Sequence, residues 1–421
     1  MNPRPGFTAT DHVFTVPLDH AEPAGPTIEV FGRELVDPAR TADRLPWLVY
    51  LQGGPGGKSP RPLLVDGWLT RALRTHRVLL LDQRGTGRST PVTAWLAASL
   101  GSAERLAEHL AAFRADAIVA DCEHIRRQLC GDEPWETLGQ SYGGFVTLTY
   151  LSLAPEGLRA CYVAGGLPDL HATAEDVYAR TYPRVRDRTE EFYGRYPADA
   201  AGLRAIADHV EEREVLLPNG DRLTARRLRT LGMAFGMGTG LERVHWLLDE
   251  AWDGGQLSDS FRHQVMTLTG FVDNPLYAVL QEACFAQGGK PTAWAADRVL
   301  AEFPEFAEDA DPLLCTGEMI YPWMFREIAG LRPFAGAADL LAARADWPAL
   351  YDPARLAENR VPVAAVVYHD DMYVDADLSL RTARAVGNVR AWVTNAWEHD
   401  GISASGGEVL DRLIRLAAGQ L

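Results

Sequence analysis

No stretch of the 421-residue chain approaches the roughly eighteen consecutive apolar residues of a membrane-spanning helix, so no membrane span is expected. Cysteine is scarce as well. Cys122, Cys130, Cys161, Cys284 and Cys315 are odd in number, widely scattered and free of CxxC spacing. That pattern argues against a disulfide framework or a cysteine-built zinc site and fits reduced thiols. Positive charge is also in deficit: 41 Lys and Arg stand against 57 Asp and Glu, for a net charge of −16. Phosphate backbones demand clustered cations, so nucleic acid is not an expected partner. The cations are Arg except for Lys58 and Lys290, a bias that GC-rich codon usage accounts for. The opening "MNPRPGFTATDHVFTVPLDH" lacks the apolar core of a secretory signal, and a cytoplasmic protein is the expectation. Internal repeats and low-complexity tracts are missing, and nothing in the sequence points to an oligomeric state.

What is present reads as a globular α/β chain, 47% hydrophobic and 23% charged. "PWLVYLQ" (46–52), "RVLLLD" (77–82), "WETLG" (135–139) and "ACYVAGG" (160–166) are short apolar runs ending in polar or Gly-rich turns. Continuous runs of this kind suit strands buried on both faces of a parallel sheet. A helical periodicity over 103–129 lies between them, and alternating strands and helices predict a mostly parallel sheet flanked by helices. "HVFTVPL" and "TIEVFGREL" alternate more cleanly and predict an antiparallel edge. From about residue 168 to 335 the pattern turns helical, with one expected hairpin around Asn219-Gly220. Strand character returns at 361–368 and 390–394, and 404–420 reads as a terminal helix. The expected organisation is therefore a catalytic domain in two parts, 1–167 and 336–421, with a mainly helical cap, 168–335, inserted between them.

The chemistry centres on "GQSYGG", a G-x-S-x-G frame with Ser141 between an expected strand and an expected helix. That is the setting of a nucleophile elbow, in which a strained turn exposes the serine hydroxyl. A serine needs a base to remove its proton, and the base needs an acid to fix its tautomer. On this type of fold the chain order is Ser, then acid, then His. His399, in "EHDG" after a strand, is the only histidine beyond the acidic stretch 370–377. Asp370 and Asp371 are adjacent and point opposite ways in an extended segment, so one of them serves; Asp371 is preferred and Asp370 is the alternate. The oxyanion donors are expected from the amide of Tyr142, next after the serine, and from Gly54 in the "QGGPGG" loop after the first core strand. This loop runs into Gly57-Lys58-Ser59, but Gln52 stands where the first glycine of G-x-x-x-x-G-K-[ST] would be, and no G-x-G-x-x-G leads into a helix, so it is not read as a phosphate loop. Asp82 and Arg84 of "DQRGTGRST" are expected to brace the site.

In order and spacing, "GGPGG", "DQRGTGRS" and "GQSYGG" together resemble the proline iminopeptidases of the α/β-hydrolase superfamily, and "HDDMYV" and "EHDG" fit the same pattern. The resemblance covers most of the chain and is strongest to the longer bacterial form with an enlarged cap. It implies removal of N-terminal proline from peptides with a free amino terminus, without a metal or organic cofactor. It carries the triad over as Ser141, Asp371 and His399, and the oxyanion donors as Gly54 and Tyr142. It also implies cap glutamates that hold the substrate ammonium, with Glu282 in "LQEACF" the better match and Glu318 in "TGEMIYPW" the weaker. One departure is visible: the family's loop commonly begins with His where this chain has Gln52. Two other readings are open on the same fold, a carboxylesterase or amidase with an uncharged acyl pocket, and a non-catalytic ligand-binding protein.

Overall fold

The computed structural model describes residues 2–4, 6–65 and 67–421. Its strands, in chain order, are β1 (Asn2–Arg4), β2 (Phe7–Pro17), β3 (Thr27–Val36), β4 (Trp47–Leu51), β5 (Arg77–Leu81), β6 (Trp135–Gln140), β7 (Leu158–Ala164), a two-stranded ribbon of β8 (Trp252–Asp253) and β9 (Gln256–Leu257), then β10 (Val363–Tyr368) and β11 (Val389–Thr394). All but the ribbon join one sheet in the order β1-β2-β3-β5-β4-β6-β7-β10-β11. The pairs among β1, β2, β3 and β5 are antiparallel, which is the edge that alternation predicts. From β5 to β11 every pair is parallel.

Period-two geometry explains why the central strands are apolar throughout. In β4, Val49 and Leu51 face the helices Ala115–Cys130 and Tyr142–Leu153, whereas Leu48 and Tyr50 face Gly67–Leu73 and Glu408–Ala417. Both faces are covered, so neither tolerates a polar side chain. Parallel strands also bring their C-terminal ends to one edge. The loops after β4, β6, β10 and β11 meet there, at the usual ligand edge of an open α/β sheet.

Between β7 and β10 the chain is mainly helical, beginning with Ala174–Arg195 and Pro197–Glu212. Its core includes Phe192, Leu203, Leu228, Phe235, Val244 and Phe261, and continues into Leu106, Leu110 and Phe113 from before β6. Among the described residues no helix is long and apolar enough to cross a membrane.

Three local expectations need correction. The periodic stretch 103–129 is two helices, Ala103–Ala111 and Ala115–Cys130, because the Arg84 guanidinium takes the Ala112 carbonyl (2.6 Å) at the break. The turn at Asn219-Gly220 forms, but its hairpin shrinks to a single bridge between Leu216 and Arg222. Thr224 accepts the Arg227 amide (3.3 Å) and starts a helix, Ala225–Arg229, where a second strand is expected. The terminal helix is confined to Glu408–Ala417, cut off from Gly401–Ala404 by Gly406 and Gly407, both at positive φ.

Candidate active site

Ser141 sits between β6 and the helix Tyr142–Leu153 with φ 53° and ψ −124°. A residue with a β-carbon is strained in this region, and the turn survives because its surroundings hold it. The Ser141 amide donates to the Ala164 carbonyl (2.9 Å), and its own carbonyl accepts from Gly144 (2.7 Å). The glycine two residues on is obligatory, since a methyl at Gly143 would run into the Leu51 carbonyl.

His399 follows β11 and is buried at 4% exposure; its Nδ1 lies 2.7 Å from Asp371 Oδ2. The other carboxylate oxygen of Asp371 accepts the amides of Tyr373 (2.9 Å) and Val374 (3.1 Å). These bonds fix the carboxylate, and the carboxylate fixes the tautomer: Nδ1 carries the hydrogen and Nε2 is left to accept a proton. The Tyr373 ring packs edge-on against the imidazole, with centroids 4.8 Å apart. Asp370 is turned outward to His369 (2.8 Å) and does not touch His399. Burial by itself would lower the His399 pKa. The charge and hydrogen bond of Asp371, reinforced by Glu318 and Asp400, outweigh it and hold the imidazole above its ordinary value.

Ser141 and His399 open onto one cavity of about 380 Å³, together with Gly53, Gly54, Tyr277 and Glu318. A β-carbon on Gly53 would press on Ser141 Cβ at 2.8 Å, so this loop lies directly against the serine. Tyr142 begins the following helix with its ring packed inward on Phe145, centroids 5.8 Å apart. Asp82 accepts the amides of Ser59 (3.1 Å) and Arg88 (2.9 Å) and pairs with Arg61, tying the loops after β4 and β5 together. Arg84 is buried against Asp121 (2.7 Å) and does not line the cavity.

The two glutamates of the helical segment between β7 and β10 occupy different places. Glu318 reaches the cavity, where its carboxylate accepts the Tyr277 hydroxyl (2.6 Å). Desolvation, opposed by that hydrogen bond and by the charge of His399 and aided by Asp371, pushes its pKa up to about 7. Glu282 is not in this cavity. Both its oxygens are taken by the amides of Ala295 (3.0 Å) and Ala296 (2.9 Å), so it caps the helix Ala295–Leu300 from a distance in sequence. Glu282, expected as the better match for an ammonium ligand, thus holds backbone donors beside a separate void of about 20 Å³, and Glu318, the weaker match, is the one that lines the cavity with Ser141. Phe285, Tyr321, Trp323 and Phe325 also lie outside the reactive cavity; Tyr277 and Tyr373 are the aromatics that line it. Tyr373 was within reach of sequence reasoning, two positions past Asp371. Tyr277 and Arg243 carried no signal that distinguished them from other residues of the helical segment between β7 and β10.

Residues 46–197 match the model of the alpha/beta hydrolase fold family. The chain is 48% identical over 413 residues to a proline iminopeptidase of Aeromonas sobria, covering 98% of this chain and 97% of that one. It is 35% identical over 415 residues to a proline iminopeptidase of Aspergillus aculeatus, covering 96% and 92% respectively. Likeness at this level and over nearly the whole of each sequence leaves little room for a different assignment: the chain belongs to the proline iminopeptidase family of α/β hydrolases.

Proposed function

We propose that the protein is a serine aminopeptidase that releases N-terminal proline from peptides, with Ser141, His399 and Asp371 as its triad and residues 168–335 as the cap over them. Ser141 Oγ attacks the carbonyl carbon of the first residue while His399 Nε2 takes its proton. The negative oxygen of the tetrahedral intermediate is received by the amides of Tyr142 and Gly54. Losing one such donor costs about 3–4 kcal/mol of transition-state stabilisation. His399 then protonates the departing peptide amine, leaving a prolyl ester on Ser141. Water, deprotonated by the same nitrogen, hydrolyses that ester and frees proline.

The observation that carries this reading over an esterase is Glu318, a carboxylate in the reactive cavity beside Ser141 and His399. An esterase acting on uncharged acyl groups has no use for a desolvated carboxylate there, whereas a free amino terminus supplies the cation it lacks. Blocking that terminus leaves Glu318 unpaired, which disfavours binding. Leu231, Met233, Tyr277 and Tyr373 offer the apolar wall for a proline ring. Ser141→Ala tests the nucleophile. Hydrolysis of a proline arylamide is expected to fall by about 10⁴-fold or more with the fold intact, and a variant retaining a tenth of the activity overturns the assignment.

A further inference from the structure

We propose that Arg243 receives the C-terminal carboxylate of short peptide substrates, making the enzyme selective for free-acid di- or tripeptides over their C-terminal amides. The proposal rests on the aminopeptidase reading above and adds the other end of the substrate to it. The cavity that holds Ser141 and His399 is lined by two further charged side chains of opposite sign, Glu318 and Arg243. Glu318 is half-buried, while Arg243 is exposed at the rim, in the first turn of the helix Gly240–Asp249.

Among the described residues the Arg243 side chain has no carboxylate partner, and its sequence neighbour Glu242 pairs with Arg195 instead. Most arginines of this chain are committed to acids or carbonyls, so a free guanidinium on the reactive cavity stands out. A half-buried acid and an exposed cation on one cavity match a zwitterion whose amino terminus is held at the acid and whose carboxylate meets the cation. Guanidinium suits the second role, because its planar fork meets a carboxylate with two parallel hydrogen bonds. About 380 Å³ is at the small end of ligand pockets (roughly 300–1,000 Å³), the scale of a few residues and not of a long peptide. Past that length the carboxylate lies beyond Arg243 and the preference fades.

The test compares kcat/KM for Pro-Ala and Pro-Ala-Ala with that of their C-terminal amides, at low ionic strength, for the wild type, R243Q, R243K and R243E. Opposite charges in a partly exposed site are worth about 1 kcal/mol, so the wild type is expected to favour the acid about fivefold at one of the two lengths. R243Q is expected to bring the acid-to-amide ratio to about one, R243K to keep part of the preference, and R243E to invert it. Added salt is expected to erase the wild-type preference. A wild type that cleaves all four peptides with equal acid and amide rates overturns the role of Arg243 alone, as does a preference that persists in R243Q. A wild type that cleaves neither these peptides nor a proline arylamide overturns the aminopeptidase reading itself.

Discussion

Replacing Asp371 with asparagine removes one charge and leaves the shape. In the wild type, one carboxylate oxygen holds His399 Nδ1 at 2.7 Å and the other accepts two backbone amides at 2.9 and 3.1 Å. Those amides can bond only to an oxygen, so the oxygen of the new carboxamide stays with them and its NH₂ turns toward the imidazole. Nδ1 must then accept, which moves the ring hydrogen to Nε2, and the base can no longer take the Ser141 proton. A tautomer reversal of this kind costs about 10⁴-fold in kcat, on the order of 5–6 kcal/mol. The pH profile supplies the second signature. His399 must be neutral to act, and its pKa is held up by Asp371 against burial. With that charge gone burial gains weight, the pKa falls, and the acidic limb of the residual kcat/KM moves to lower pH. Steady-state rates on a proline arylamide from about pH 5 to 9, with thermal unfolding as a check on folding, measure both effects. Loss of less than tenfold, or an acidic limb shifted upward, refutes the triad geometry. Asp370→Asn, changed at an exposed site facing His369, is expected to stay within about twofold.

Glu318→Gln is expected to lower kcat/KM for free-amine substrates roughly 30- to 4,000-fold, the value of about 2–5 kcal/mol for truncating one partner of a buried charge pair. The same change is expected to stabilise the fold at pH 8 but not at pH 5. A pKa of about 7 lies above the unfolded value, so the stability from the bound proton is present at low pH and is lost as pH rises past about 7. A gain on the order of 1–2 kcal/mol by denaturant unfolding is the expected size, discounted for the partial exposure of the side chain. Glu282→Ala is expected to do the converse, losing about 1–3 kcal/mol of stability through two orphaned amides while kcat/KM stays within about threefold; a large activity loss at unchanged stability refutes its structural role. Gly143→Ala, which sets a methyl against the Leu51 carbonyl, is expected to cost about 3 kcal/mol or more, read as a fall in the denaturation midpoint.

Sequence reasoning reached the residues proposed as the triad because its logic is topological. Strand-end position and chain order single out Ser141 and His399, and the same edge of the sheet collects them. Choosing between Asp370 and Asp371 needed the direction of two adjacent side chains, which the residue types do not encode. The helical segment between β7 and β10 was harder for a related reason. Glu282 and Glu318 are both desolvated glutamates within it, and what separates them is whether backbone amides or open space face the carboxylate. Residues 282, 295 and 296 come together only in the folded insertion. The missed helix break at Ala112 has the same origin, since its partner Arg84 is 28 positions away. Amphipathic periodicity reports which face is buried, not which carbonyl a distant guanidinium will claim.

The most direct measurement compares purified protein acting on three substrates: a proline arylamide, the same compound acetylated on its nitrogen, and a short acyl ester. Rapid turnover of the free amine is expected, with the acetylated form slower by roughly 30-fold or more because it leaves Glu318 unpaired, and with the ester a poor substrate. Equal or faster turnover of the acetylated compound would contradict recognition of a free amino terminus and return the site to an ordinary esterase or amidase.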